Sequence, residues 1–165
     1  MRLDNLISDI SVKSIEGSTA LEIQTLTSDS RKVDSNSVFI AISGTSRDGR
    51  TYLNEVISKG CKVLVVENRT LVPKDFVGTI LTVNCTREFL DQAVSKFHGD
   101  PSKKIICIGV TGTNGKTTIT HLIEAVLNDQ SLPTAVMGTI DHHFQMTKYE
   151  SELTTPGPEL LQYRL

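Results

Sequence analysis

The residues most able to do chemistry form a glycine-rich segment, Gly-Val-Thr-Gly-Thr-Asn-Gly-Lys-Thr-Thr, at positions 109 to 118. Glycines at 112 and 115 let the backbone turn so that successive N–H groups face an anion. Lys116, the predicted catalytic residue, would place an ammonium group beside the outer phosphates of a nucleotide, and the Thr117 hydroxyl would bind magnesium. The segment therefore predicts a phosphate-binding loop made by Gly112, Thr113, Asn114, Gly115, Lys116, Thr117 and Thr118.

The glycine spacing makes this a variant loop. The usual pattern has a glycine five residues before the glycine that precedes lysine, and here that position is Val110. An apolar run at 105 to 108 predicts a buried strand before the loop, and apolar spacing predicts a helix from 119 to about 130 after it. Strand, loop and helix in this order favour a phosphate site over an incidental glycine turn.

The cysteines and histidines suggest no second reactive site. No cysteine has a partner at zinc-ligand or disulfide-framework spacing, so inert reduced thiols are expected at Cys61, Cys85 and Cys107. His142 and His143 are adjacent rather than four apart on a helix, and a metal site is not expected there. His98 and His121 have no obvious partner in the sequence.

The elements that must position the loop begin with a separate α/β module. Strand patterns at 21–26, 37–42, 62–67 and 79–83 alternate with helical patterns at 51–59 and 86–97. Gly60 is expected to close the first of these helices and Thr86 to cap the second. The turn-forming residues 99–102 mark a boundary, which predicts domains at 1–100 and 101–165.

The second predicted domain contains the loop and too few strands for a complete sheet. After the loop helix we expect a strand over 133–140, a hairpin within 141–153 and a short helix starting at 154–156. A nucleotide-binding sheet usually has about five strands or more. We therefore expect a partial α/β domain whose exposed sheet edge is covered by a second copy or by a full-length partner.

Composition excludes several classes of function. The formal net charge is −2 and no Lys/Arg block occurs, so no nucleic-acid partner is expected. The apolar runs are too short to span a bilayer and the N-terminus lacks a signal-peptide core, so no membrane partner is expected. A cytoplasmic protein is the prediction.

Four separated pieces resemble one family. They are Thr-Ser-Asp-Ser-Arg at 27–31 with the strand at 38–42, the loop at 44–49, the phosphate loop, and Gly-Thr-Ile at 138–140 paired with Leu-Thr-Thr-Pro at 153–156. In this order they resemble the Mur ligases, ATP-dependent enzymes that add amino acids to the UDP-muramoyl peptide precursor of bacterial cell wall. The last pair is similar to the MurE type, which adds the third residue.

The resemblance implies roles for matched positions. In that family the first domain holds the UDP end of the substrate, which would involve Ser28, Ser30, Thr45, Ser46 and Arg47. Thr154 and Thr155 would contact the sugar-peptide part, although on spacing alone they equally fit a simple helix N-cap. The implied co-substrate and metal are ATP and Mg²⁺, and the implied partner is the UDP-N-acetylmuramoyl-peptide precursor.

The resemblance also implies that much of the catalytic machinery lies beyond the matched region. A complete member has further magnesium ligands, a modified lysine, adenine contacts and an amino-acid-binding domain. We therefore expect that these 165 residues do not ligate alone. Three interpretations stay open: a fragment of a MurE-type ligase, a shortened homologue that binds UDP-muramoyl peptides or regulates a full-length enzyme, and a stand-alone phosphate-loop NTPase.

Overall fold

The computed structural model describes residues 1–44, 48–151 and 153–165. The chain forms two compact units, Met1–Pro101 and Ser102–Leu165. Among the described residues, none of the helices is both long and apolar enough to cross a bilayer.

The first unit is built on a five-stranded sheet. Its strands are β1 (Ser14–Glu16), β2 (Thr25–Thr27), β3 (Ser37–Ile40), β4 (Val63–Val66) and β5 (Thr79–Thr82). The spatial order is β1-β5-β4-β3-β2, with β2 to β5 parallel and β1 antiparallel to β5. Because four neighbouring strands are parallel, their carboxyl ends meet at one edge of the sheet.

Helices cover both faces of this sheet. The α-helices are α1 (Leu3–Ile7), α2 (Leu53–Ser58) and α3 (Thr86–Phe97). Short 3₁₀ helices lie at Ser30–Lys32, Gly49–Tyr52, Arg69–Leu71 and Pro101–Lys103. Helices α1 and α3 pack in one core cluster with alternate strand residues, and α2 packs in the other.

The core follows from the alternation of side chains along buried strands. In β4, Val63 and Val65 belong to the α1/α3 cluster, whereas Leu64 and Val66 belong to the α2 cluster. All four are buried, which is the reason that the sequence reads as a continuous apolar run. The structure is α/β, as the sequence predicts.

Two details of the first unit differ from the prediction. Strand β1 was not predicted, because all three of its residues are exposed and its pattern carries no apolar face. Thr86 was expected to be an N-cap but is the first residue of α3, and Cys85 occupies the cap position without a side-chain hydrogen bond. The first-turn N–H of Thr86 instead donates to Glu67 at 2.9 Å.

The second unit combines two helices with an antiparallel sheet. Its elements are α4 (Lys116–Asp129), β6 (Ala135–Met137), β7 (Asp141–Phe144), β8 (Thr147–Glu150) and α5 (Pro158–Arg164). The sheet order is β6-β7-β8 with both pairs antiparallel, which confirms the predicted hairpin. Helix α5 starts with Pro158 in its first turn, later than the predicted start at 154–156.

The strand predicted at 105–108 does not form. Ile106 is 92% exposed, and Cys107, which was expected in a core strand, is exposed as well. A strand is stable only when neighbours pair with its backbone. Within the described part of the chain, strands β6 to β8 pair only with one another, and the apolar run does not pair with any of them.

Candidate functional site

The glycine-rich loop has the backbone shape that its sequence predicts. Gly112 has a φ of 146° and Gly115 a φ of 77°, values that side-chain-bearing residues rarely adopt. A Cβ at Gly115 would have room, since its nearest neighbour is 3.8 Å away. Glycine is therefore needed at 115 for backbone conformation and not for space.

Helix α4 begins directly at the end of this loop. Gly115 is its N-cap and has no side chain to accept the first-turn N–H groups. With 14 residues, α4 is long enough to have a substantial positive end. The loop and the helix start thus form a concentration of N–H groups that suits a phosphate.

The polar side chains of the loop lie at this helix start. The Lys116 ammonium donates to the Gly112 carbonyl at 2.6 Å, so its side chain folds over the loop. Lys116 and Thr117 are half-buried at the first turn, whereas Thr113, Asn114 and Thr118 are exposed. The structure brings the predicted loop residues together on one short stretch of backbone, and their ligands stay a prediction.

In the first unit, loops meet at the carboxyl edge of the parallel sheet. Residues 28–31 follow β2, residues 41–44 follow β3, and Glu67 follows β4. Ser28 is half-buried, Ser30 is buried, and both lie at this edge. Thr45, Ser46 and Arg47 lie outside the described residues.

An Asp-x-Arg pair occurs in each of the two motifs of the first unit that the sequence singled out. Asp29 accepts from the Arg31 backbone N–H at 3.0 Å and pairs with its guanidinium at 2.7 Å. Hydrogen bonding from Arg31 lowers the pKa of the Asp29 carboxyl to about 2. Asp48 caps the next loop in the same way, accepting from the Arg50 N–H at 3.0 Å and pairing with its side chain. In each case the aspartate is the N-cap of a short 3₁₀ turn, Ser30–Lys32 or Gly49–Tyr52, and fixes that turn locally.

Glu67 is a residue of this edge that the sequence analysis missed. Its carboxylate accepts hydrogen bonds from the Thr86 N–H at 2.9 Å, the Thr86 hydroxyl at 3.0 Å and the Ser43 hydroxyl at 3.3 Å. The Thr86 N–H is the leading reason that the pKa of Glu67 is lowered. Glu67 thus links the loop after β3 to the start of α3. The available signal was an acid directly after a buried strand.

The two threonines assigned to the sugar-peptide part lie in the second unit. Thr154 and Thr155 are exposed, and the Thr139 hydroxyl donates to the Thr154 hydroxyl at 3.2 Å. This bond joins the segments 138–140 and 153–156, which the sequence resemblance pairs as one motif. Neither threonine caps α5, whose N-cap is Gly157.

Comparison with known proteins agrees with the sequence motifs. Residues 110–165 match the Mur ligase middle domain. The chain is 40% identical over 162 residues to the UDP-N-acetylmuramoyl-L-alanyl-D-glutamate--2,6-diaminopimelate ligase of Geobacter metallireducens, covering 98% of this chain and 31% of that protein. It is 34% identical to the ligase of the same name from Phocaeicola vulgatus, covering 96% and 32%.

A solved structure gives the same result at the level of fold. The structure of a UDP-N-acetylmuramoyl-L-alanyl-D-glutamate--2,6-diaminopimelate ligase aligns with a TM-score of 0.65 and 22% identity, covering 99% of this chain and 32% of that one. The chain spans about a third of the length of the curated relatives that it matches. With motifs, fold and relatives in agreement, the chain belongs to the Mur ligase family, and the curated relatives reported above are diaminopimelate ligases.

Proposed function

We propose that this chain carries the precursor-binding part and the phosphate loop of a ligase that joins diaminopimelate to UDP-N-acetylmuramoyl-L-alanyl-D-glutamate. The observation that carries the proposal is the similarity to the Geobacter metallireducens ligase over 98% of the chain. The family is ATP-dependent, and the loop geometry supports a role in binding a nucleoside triphosphate. A cytoplasmic location is part of the proposal.

In this proposal the loop holds the triphosphate by charge and position. N–H groups at the start of α4 and the Lys116 ammonium would neutralise the γ-phosphate as it passes to the carboxylate of the precursor. The product acyl phosphate would then lose phosphate when the amino group of diaminopimelate attacks its carbonyl carbon. Magnesium, for which the Thr117 hydroxyl is a suitable ligand, would supply further charge neutralisation on the phosphates.

The first unit would hold the uridine diphosphate end at the carboxyl edge of its sheet. Ser28, Ser30, Thr45 and Ser46 offer hydroxyl groups for hydrogen bonds, and Arg47 offers a guanidinium for a diphosphate. The other two arginines of these motifs, Arg31 and Arg50, pair with Asp29 and Asp48. Thr154 and Thr155 would contact the sugar-peptide part.

Two binding measurements test the two halves of the proposal separately. Calorimetry with MgATP should show binding that falls at least tenfold on Lys116→Ala and is unchanged in Lys104→Ala, an exposed lysine of the same unit. Calorimetry with UDP-N-acetylmuramoyl-L-alanyl-D-glutamate should show binding that weakens in Arg47→Ala and is unchanged in Lys116→Ala. Absence of binding to any uridine nucleotide would refute the precursor-binding role.

Activity assays separate the remaining interpretations. We propose that these 165 residues bind ligands but form no amide bond alone, because they span only about a third of the relatives' length. Ligation by the purified chain would overturn that statement. Steady ATP hydrolysis without precursor would instead favour a stand-alone NTPase. Light scattering across a concentration series would test self-association through the exposed strand β8.

A further inference from the structure

Three side chains of the second unit converge between helix α4 and strand β7. His121 and Glu124 are three residues apart on α4 and therefore share one face of the helix. His143 projects from β7, and its Nε2 lies 2.7 Å from Glu124 Oε1. His121 Nδ1 lies 3.2 Å from Glu124 Oε2. One atom from each residue lies within 4.8 Å of the other two.

The donor set and spacing suit a divalent transition metal. Zn²⁺ binds imidazole nitrogen and carboxylate oxygen at about 2.0–2.2 Å, so ligand atoms around a tetrahedral ion are about 3.4 Å apart. The two contacts of Glu124, at 2.7 and 3.2 Å, are already close to that separation. The two imidazole rings are nearly parallel, with an interplanar angle of 7° and centroids 5.7 Å apart. Small side-chain rotations would place an ion between the three groups.

Asp141 contacts the more buried histidine, His143, at the ring nitrogen that does not face Glu124. Asp141 Oδ1 lies 2.5 Å from His143 Nδ1, and both residues are on the same face of β7. A carboxylate only accepts at neutral pH, so both ring nitrogens of His143 donate in the metal-free chain, Nδ1 to Asp141 and Nε2 to Glu124. A metal ion would take the place of the Nε2 proton, while Nδ1 would still donate to Asp141. Metal-binding histidines usually donate their other ring N–H to such a carboxylate. Lys148 approaches the other oxygen of Asp141 at 3.8 Å, which leaves Oδ1 to His143.

Burial is graded across the cluster. The His143 and Glu124 side chains are 10% and 17% exposed, whereas His121 is 40% exposed. The cluster therefore has an inner side closed by protein and an outer side open to solvent. Three protein ligands with one accessible position is the arrangement of zinc sites that also bind water or a small ligand.

We propose that His121, Glu124 and His143 form a site for Zn²⁺ or a similar divalent transition metal, with Asp141 orienting His143. The site is separate from the magnesium role of Thr117 and from the proposed ligase activity. Its imidazole ligands select against Mg²⁺, which prefers oxygen ligands. A bound metal would fasten α4 to the sheet of the second unit.

Calorimetry on the chelator-treated full chain at pH 8, without nucleotide, tests the proposal. Zn²⁺ should bind one to one and saturate at micromolar metal. His121→Gln, Glu124→Gln and His143→Gln should each weaken binding by about 100-fold or more, and Asp141→Asn by about 10–100-fold. Matched controls are His98→Gln, which removes a histidine of the first unit, and Cys107→Ser, which removes an exposed thiol. Both should bind like the native chain.

A second measurement distinguishes the loss of a metal ligand from a failure to fold. Co²⁺ in the native chain should give the strong visible absorption of four-coordinate cobalt, and His121→Gln should lose it. His121 is the most exposed ligand, so this variant is the least disruptive of the three. A native chain that does not bind one Zn²⁺, or His121→Gln and His143→Gln variants that bind Zn²⁺ as tightly as the native chain, would overturn the proposal. Neither outcome would bear on MgATP or precursor binding.

Discussion

Replacing Glu67 by alanine should loosen the carboxyl edge of the first unit's sheet. The carboxylate accepts three hydrogen bonds, two from Thr86 at the start of α3 and one from Ser43 in the loop after β3. Alanine leaves the first-turn N–H of α3 without its side-chain acceptor. Because Cys85 at the N-cap offers no replacement bond, water is the remaining partner for that group.

The expected cost can be worked from the three bonds. A hydrogen bond to a charged group contributes about 1.5–3 kcal/mol. Glu67 is only half-buried and the Ser43 contact is long at 3.3 Å, so we count the two Thr86 bonds at the lower value. Glu67→Ala should then cost about 3 kcal/mol. Glu67→Gln keeps an acceptor oxygen but loses the charge, and should cost about half as much.

Hydrogen exchange with mass spectrometry can measure this cost in the first unit alone. Peptides from β4, β5 and α3 should exchange roughly 100-fold faster in Glu67→Ala, since about 1.4 kcal/mol is a factor of ten. Peptides from α4 report on the second unit and should be unchanged. Asp91→Asn, which removes an exposed carboxylate from the middle of α3, is the matched control and should change stability by less than about 0.5 kcal/mol.

The pH dependence gives an independent check on the same residue. The pKa of Glu67 is lowered in the folded state, first by the Thr86 N–H, so its stabilisation is complete above the unfolded value of about 4.3. That stabilisation is lost as pH falls through the lower folded value. The stability gap between the native chain and Glu67→Gln should therefore narrow from about pH 6 to about pH 3. A gap that stays constant, or an alanine cost below about 0.5 kcal/mol, would refute the capping role.

Two further experiments test local features of the first unit. Gly17 and Gly60 have similar φ values of 91° and 85°, but an added Cβ at Gly17 would lie 2.4 Å from a backbone carbonyl oxygen, whereas at Gly60 its nearest neighbour is 3.9 Å away. Gly60→Ala should cost about 1–2 kcal/mol in urea unfolding and Gly17→Ala clearly more, and equal costs would contradict the steric argument. Ellman's reagent should modify exposed Cys107 rapidly in the folded chain. Cys61, whose pKa is raised by burial, should react only on unfolding, and fast reaction without denaturant would show that its site opens.

Features that depend on nearby residues were predictable from the sequence. Gly112 and Gly115 adopt positive φ because the loop turns there, and α4 follows from the residues directly after it. Strands β3 and β4 were predictable because both faces of the sheet are covered and their residues are therefore apolar throughout. In each case the signal lies within a few residues of the structure that it specifies.

Features that depend on distant residues were not predictable from the sequence. The apolar run at 105–108 was wrongly predicted to be a strand, because an apolar pattern does not show whether a neighbouring strand exists. The cap on α3 comes from Glu67, 19 residues earlier. The histidines were judged by their adjacency, yet strand alternation sends His143 toward Glu124 and leaves buried His142 beside Ser151 and Arg164.

The cluster of His121, Glu124 and His143 also bears on how helix α4, and with it the glycine-rich loop, is positioned in the second unit. None of the 14 residues of α4, all of which the structure describes, is fully buried, and Leu122 and Val126 are more than 60% exposed. Apolar packing therefore contributes little to fixing this helix, in contrast to α3 with five buried residues. The Glu124–His143 contact is a polar link between α4 and strand β7. The direction of the first-turn N–H groups is set by the axis of α4. If the loop holds a phosphate, as proposed above, the orientation of that phosphate would depend on a contact about two turns along the same helix.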